Sequence, residues 1–138
     1  MFSPTTRFLV VDDFATMRKI IKKVLSDLSY QNITEADDGK TAWPIIEEAF
    51  TKGQPIDFII SDWNMPGMTG IELLKKCKED PRFKSVPFLM VTAESEQKQI
   101  LEAAKLGVSD YTVKPFNAPI LKGKLEKIWA KTNATKAA

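Results

Sequence analysis

The sequence predicts an α/β domain in which a parallel sheet of five strands is covered by helices on both faces. Strand-like and helix-like segments alternate five times along the chain. The strand-like segments are short apolar runs, as expected for strands that are buried on both faces. The helix-like segments repeat apolar residues at intervals of three and four. A length of 138 residues fits one domain.

The first two strands and helices follow from hydrophobic periodicity and turn signals. We expect a strand at about residues 8–11, an amphipathic helix after it, and a second strand near residues 32–36 that ends at a turn. The second helix contains Pro44, which removes a backbone donor and clashes with the preceding turn. We expect this helix to begin late, near Thr41, with Pro44 in its first turn; the alternative is a kinked helix.

The remaining strands are expected at about residues 57–61, 88–91 and 110–113. Between the strands expected at residues 57–61 and 88–91, Glu72 follows Thr69 three residues later. This is the pattern of a capping box at the start of a helix.

Two further residues mark helix ends. Gly107 is expected to end the fourth helix in the left-handed conformation, and Asn117 to cap the fifth. We expect a single domain over residues 1–138, with loose tails at about residues 1–6 and 132–138, because these segments have little to bury.

Composition limits the function classes. The chain is 43% hydrophobic and 28% charged, with a net charge of +2 that is too small to argue for nucleic acid. Its one cysteine, Cys77, cannot form an internal disulfide, which suits a reducing compartment. No apolar stretch approaches the ~20 residues that span a bilayer, and no signal-peptide pattern is present. We therefore expect a cytoplasmic protein without membrane or nucleic-acid partners.

Charged and hydroxyl side chains follow the ends of four predicted strands. Asp12 and Asp13 follow the first strand, Asp62 the third, Thr92 the fourth and Lys114 the fifth. Because right-handed crossovers bring the carboxyl ends of parallel strands to one edge, these residues are expected to share one rim of the sheet.

Such a rim would suit a divalent cation and a phosphoryl group. Carboxylates at ~4 Å repel one another by about 4 kcal/mol at an effective dielectric near 20, and Mg²⁺ relieves this with oxygen ligands. Asp62 is the candidate nucleophile for an aspartyl phosphate, which Lys114 and Thr92 would contact. Each of these residues also has a structural alternative. Asp12 and Asp13 could cap the first helix, Thr92 could cap the fourth helix, and Lys114 could lie in a surface turn.

Several motifs together resemble the receiver domains of bacterial response regulators, in particular the stand-alone chemotaxis regulators. They are Phe8-Leu-Val-Val-Asp-Asp-Phe14, Met17-Arg18, Ile60-Ser-Asp-Trp-Asn-Met-Pro66, Gly70-Ile-Glu-Leu-Leu-Lys75, Leu89-Met-Val-Thr-Ala-Glu94, and Tyr111 with Val113-Lys-Pro-Phe116. The resemblance implies a flavodoxin-like, doubly wound fold with strand order 2-1-3-4-5.

The resemblance also implies a chemistry. Asp62 would accept a phosphoryl group from the phosphohistidine of a sensor kinase, which must lie on a partner because this chain has no histidine. Asp12, Asp13, Asp62 and the backbone carbonyl of Asn64 would hold Mg²⁺, with Asp12 acting through water. Catalysis would be limited to phosphotransfer onto the chain and its reversal by hydrolysis, so an ordinary enzyme is not expected.

Other residues receive roles from the same resemblance. Tyr111 and Thr92 would form a coupled switch, although Tyr111 could equally be a half-buried packing residue. Lys124 and Tyr111 would belong to an output surface of the fourth helix, fifth strand and fifth helix, where similar proteins dock on the flagellar motor switch protein. Glu94 and Asn64 would tune dephosphorylation. Independently of the resemblance, Trp63 directly follows Asp62, so it would lie beside the metal and report on it optically.

The same residues bear on three other functions. A phosphorelay intermediate that passes the phosphoryl group to another histidine protein remains an alternative. A Mg²⁺-dependent phosphatase is disfavoured, because such enzymes usually carry a second aspartate where Asn64 stands. A nucleotide-binding fold is disfavoured by the absence of a glycine-rich loop after the first strand. We expect a monomer. Its output would depend on a binding partner, since no output domain follows residue 131. A dedicated phosphatase is a further possible partner.

Overall fold

The computed structural model describes residues 2–63, 65, 67–92, 97–113 and 116–137, and of residues 97–100 and 132–137 it describes the backbone alone. Five strands alternate with five helices in this order: β1 (Arg7–Val11), α1 (Ala15–Asp27), β2 (Asn32–Ala36), α2 (Gly39–Thr51), β3 (Phe58–Asp62), α3 (Gly70–Glu79), β4 (Phe88–Thr92), α4 (Gln97–Lys105), β5 (Asp110–Val113) and α5 (Ala118–Ala137).

The five strands form one parallel sheet in the order β2-β1-β3-β4-β5. This confirms the predicted fold class and strand order. The register pairs Val11 with Ser61, and Thr92 with Val113. The carboxyl ends of β1, β3, β4 and β5 therefore lie along one edge of the sheet, as parallel connections require.

The sheet has a hydrophobic core on each face. Along β1, Leu9 and Val11 face a cluster that α2, α3 and α4 cover, while Phe8 and Val10 face a second cluster that α1 and α5 cover. Successive side chains of a strand point to opposite faces, so a strand buried on both sides becomes a continuous apolar run. The predicted apolar runs thus mark the central strands.

The beginning of α2 differs from the expectation. The helix begins at Gly39, and the Asp38 side chain caps it by accepting a hydrogen bond from the Thr41 amide at 2.8 Å. Pro44 therefore lies in the second turn and not in the first. The cap and the burial of Ala42 on the core face outweigh the backbone hydrogen bond that Pro44 cannot donate.

The predicted helix ends are confirmed. Thr69 and Glu72 form a capping box at α3. Gly107 has a φ of 87° after α4, and the Asn117 side chain accepts a hydrogen bond from the Ile120 amide at 3.0 Å at the start of α5. The strand bounds shift slightly: β3 begins after Asp57 and includes Asp62 as its last residue.

The loose tails expected at about residues 1–6 and 132–138 stay a prediction, and two features of the described residues lie in these segments. The Phe2 ring packs edge-on against Phe58 with centroids 5.3 Å apart, and its carbonyl accepts a hydrogen bond from the Tyr30 hydroxyl at 3.2 Å. At the other end, α5 continues to Ala137. Among the described residues, no helix is long and apolar enough to cross a membrane.

Candidate functional site

Three carboxylates converge at the carboxyl ends of the adjacent strands β1 and β3. Asp12 and Asp13 directly follow β1, and Asp62 ends β3; one oxygen of each lies within 4.8 Å of the others. Asp12 and Asp62 are buried, whereas Asp13 is exposed. Buried like charges at this spacing raise the free energy of the folded chain unless a cation or protons compensate. Their oxygen donors are the ligands that Mg²⁺ prefers, so these residues fit that ion.

Backbone hydrogen bonds hold Asp12 in place. Its amide donates to the carbonyl of Ala36 at the end of β2, at 3.1 Å, and its Oδ1 accepts from the Phe14 amide at 2.9 Å. The helix cap position itself is Phe14, which makes no side-chain capping hydrogen bond. The alternative prediction, that the aspartate pair serves as the cap of α1, is therefore wrong.

Asp62 is fixed by the turn that follows it. Its Oδ1 accepts a hydrogen bond from the Trp63 amide at 2.8 Å, and the same amide donates to the Val91 carbonyl at 2.9 Å. The Trp63 carbonyl in turn accepts from the Gly70 amide at 2.9 Å, at the first residue of α3. The start of α3 is thereby tied to the end of β3.

Gly70 has a steric role that the sequence reasoning missed. A methyl group built at this residue would overlap the backbone carbonyl oxygen of Asp62 and approach the Met90 sulfur to 3.1 Å. Only glycine lets α3 pack this closely against the strand end. The only sequence signal was a glycine immediately after the capping threonine.

The other predicted site residues fall into two groups. Thr92 is buried at the end of β4, and the indole of Trp63 is buried in the core cluster under α2, α3 and α4. Lys114, Asn64 and Glu94 lie outside the described residues. The structure thus brings together the carboxylate cluster, with Thr92 on the same rim of the sheet.

Tyr111 lies on the same face of the sheet as Thr92. It pairs in register with Met90 on β4, two residues before Thr92, and side chains two residues apart point to one face. Tyr111 is half-buried, and the Nζ of Lys124 on α5 lies 5.1 Å from its ring centroid, within cation–π range.

Asp110 is a further residue that the sequence reasoning missed. This buried carboxylate precedes Tyr111 and forms ion pairs with Lys124 at 3.5 Å and Lys127 at 3.6 Å. It connects β5 with α5 at the predicted output surface. A carboxylate at the first position of a short predicted strand is the signal that would have found it.

Arg18 also contacts the site, although no role was assigned to it from the sequence. Its Nη1 donates to the backbone carbonyl of Asp12 at 2.6 Å, and its Nε donates to Glu35 at 3.1 Å. Burial would raise the pKa of Glu35, but hydrogen bonds and charges from Lys22 and Arg18 lower it below its ordinary value.

Comparison with known proteins shows the family of the chain. Residues 8–126 match the family described as response regulator receiver domain, so the chain belongs to that family. The five-stranded flavodoxin-like fold is shared with its structural neighbours.

Within this family, the chain is similar to chemotaxis regulators. It is 53% identical to "Chemotaxis protein CheY" of Pseudomonas aeruginosa over 127 residues, which are 92% of this chain and 98% of that protein. It is also 53% identical to "Chemotaxis protein CheY-3" of Vibrio cholerae over 123 residues, 89% and 91% of the two chains. The solved structure of chemotaxis response regulator CheY4 of Vibrio cholerae superposes with a TM-score of 0.77 at 33% identity, covering 90% and 98%.

The chain is thus a CheY-like receiver domain, consistent with chemotaxis signalling. A domain of this class is a signalling protein and not an ordinary enzyme.

Proposed function

We propose that the chain is a phosphorylation-dependent response regulator of chemotaxis whose phosphoacceptor is Asp62. A carboxylate oxygen of Asp62 would form a bond to phosphorus while the bond from phosphorus to the imidazole nitrogen of a kinase phosphohistidine breaks, and the histidine would keep the electron pair. The convergence of Asp12, Asp13 and Asp62 is the observation that carries this proposal.

The same carboxylates, with the backbone carbonyl of Asn64, would hold Mg²⁺. When bound, the ion would supply positive charge that stabilises both the crowded carboxylates and the incoming phosphoryl oxygens. The hydroxyl of Thr92 and the ammonium of Lys114 would contact the phosphoryl group from the neighbouring strands. Glu94, Asn64 and Trp63 would modulate its hydrolysis.

The output would be a change on the surface formed by α4, β5 and α5. Thr92 would draw toward the phosphoryl group and Tyr111 would move with it, since both side chains lie on one face of adjacent strands. Lys124 covers the Tyr111 ring and would respond to this motion. Leu101 on α4 is 60% exposed and supplies apolar area for a partner.

The partners would be a sensor histidine kinase of the chemotaxis type and the flagellar motor switch protein, with a dedicated phosphatase as a further candidate. We propose a monomer that acts in the cytoplasm. A motor component that binds the phosphorylated chain supports this function, whereas transfer of the phosphoryl group to a second histidine protein would support a phosphorelay intermediate instead.

The experiment is labelling by radioactive acetyl phosphate in the presence of Mg²⁺. Asp62→Asn should abolish the label because the amide is a poor nucleophile. Asp57→Asn is the matched control: Asp57 precedes β3 at the opposite edge, where its carboxylate accepts a hydrogen bond from the Arg7 amide at 2.9 Å. Undiminished labelling of the Asp62→Asn variant would falsify the assignment.

A further inference from the structure

We infer that Arg18 is a positioning residue for the metal site, because it holds the peptide bond that joins Asp12 to Asp13. This inference rests on the proposed function, since it takes the carboxylates of Asp12, Asp13 and Asp62 as Mg²⁺ ligands. Arg18 lies on α1 and contributes no oxygen to the cluster.

The contact is short and charge-assisted. Nη1 of Arg18 donates to the carbonyl oxygen of Asp12 at 2.6 Å, and the Arg18 side chain is only 18% exposed. Hydrogen bonds from a charged donor are stronger than those between neutral groups, and burial reduces the screening by water.

Glu35 on β2 fixes the guanidinium from its other side. Its Oε1 accepts from Nε of Arg18 at 3.1 Å, while its Oε2 accepts from Lys22 at 3.2 Å. The planar guanidinium reaches both acceptors at once, and a lysine has only one nitrogen for this purpose. Arg18 thus links the first turn of α1, the edge strand β2 and the end of β1.

The carbonyl that Arg18 holds restrains the peptide plane from which the Asp13 side chain starts. The carbonyl of Asp12 and the amide of Asp13 belong to one rigid peptide plane, so fixing the oxygen fixes that amide and narrows the positions that the Asp13 Cα and carboxylate can take. The amide of Asp12 is already held by Ala36, and its Oδ1 by Phe14. Asp13 is exposed, and the Arg18 contact supplies the anchor for the peptide bond that leads to it.

The charge of Arg18 and its positioning role predict opposite effects on Mg²⁺ affinity when the residue is replaced. A guanidinium beside a cation site repels the cation, so its removal by charge alone would tighten Mg²⁺ binding. If Arg18 positions the Asp13 carboxylate, its removal loosens a ligand and weakens binding. Loss of residues that orient metal ligands typically lowers affinity about 10- to 100-fold.

The experiment measures the Mg²⁺ dissociation constant by tryptophan fluorescence without a phosphodonor. We expect Arg18→Met to weaken binding about 10-fold, and Arg18→Lys to restore only part of the loss although it keeps the charge. Lys22→Met is the matched control, because it removes one charge and the other partner of Glu35 but no contact to Asp12. We expect it to bind Mg²⁺ within about twofold of the wild type.

The NMR spectrum of the Mg²⁺-free chain provides a second measurement. The amide resonance of Asp13 should shift in the Mg²⁺-free Arg18→Met chain, and it should stay in place in the Lys22→Met chain. Glu35→Gln approaches the same contact from β2 and should weaken Mg²⁺ binding by less than Arg18→Met does, and the two changes together should be less than additive. If Arg18→Met fails to fold, Arg18→Lys and Glu35→Gln carry the comparison.

The outcomes separate this inference from the proposed function. If the wild type binds no Mg²⁺, the proposed function fails and the inference falls with it. If the wild type binds Mg²⁺, Asp13→Ala binds it weakly, and Arg18→Met binds it as tightly as the wild type or more tightly, then the site stands and the positioning role of Arg18 is overturned.

Discussion

Replacing Gly70 with alanine tests how closely α3 is packed against the phosphoacceptor strand. The added methyl would overlap the carbonyl oxygen of Asp62 and lie 3.0 Å from its carbon, where ordinary contact begins at 3.4 Å. Both atoms are backbone, so no side chain can rotate away. Overpacking of this kind costs typically about 1–3 kcal/mol, and we expect the upper end because backbone must move. Alanine recovers about 0.5–1 kcal/mol of helix propensity, which leaves a net loss of about 2 kcal/mol.

Gly123→Ala is the matched control for this change. Gly123 lies in α5, and a methyl built there meets nothing within 4 Å. The control should raise the free energy of unfolding by about 0.5–1 kcal/mol, since it gains helix propensity without a clash. Urea unfolding followed by circular dichroism measures both variants.

The clash should also affect the chemistry at Asp62. A displacement of about 1 Å at a reacting group can cost about 100-fold in rate, so acetyl phosphate should label folded Gly70→Ala much more slowly than Gly123→Ala. If Gly70→Ala unfolds at the same urea concentration as the wild type and is labelled at the wild-type rate, the close contact between α3 and the strand end is refuted.

Three further predictions concern single residues. Ser29 follows α1 with a φ of 75°, so Ser29→Gly should stabilise the chain by about 1 kcal/mol in urea unfolding, and a loss of stability would contradict this. Burial raises the pKa of Cys77 to about 12 from its ordinary 9.0, so a thiol reagent at pH 8 should label it only in unfolded chains. Because the unfolded chain releases this proton first, the wild type should lose stability between pH 9 and pH 12 relative to Cys77→Ala; equal pH profiles would count against it. Mg²⁺ should change the fluorescence of the wild type, and Trp63→Phe should remove the response; a surviving signal would mean that another tryptophan reports on the metal.

Local chemistry predicted most of the elements, and the exceptions have physical causes. The capping box of Thr69 and Glu72 is a contact between residues three apart, so the sequence displays it directly. The expected start of α2 near Thr41 is wrong, because the Asp38 cap and the burial of Ala42 compensate for the penalty of Pro44. The strand order was inferred from family resemblance, since periodicity alone does not rank neighbouring strands.

The sequence predicted those site residues that directly follow a strand. It did not predict the residues whose role depends on contacts between different elements. Asp12 and Asp62 follow apolar runs, and parallel topology alone brings them to one edge. Arg18 and Asp110 act through ion pairs that join different elements, and Gly70 acts through a close backbone approach; neither property has a periodic signature. Tertiary structure is needed to find such residues.

The most direct test of the account is a crystal structure of the chain grown with Mg²⁺ and beryllofluoride, a mimic of the phosphoryl group. We expect beryllofluoride on a carboxylate oxygen of Asp62, with Mg²⁺ bound at the cluster of Asp12, Asp13 and Asp62. A crystal in which Asp62 carries no mimic, or in which the metal binds away from the ends of β1 and β3, would contradict it.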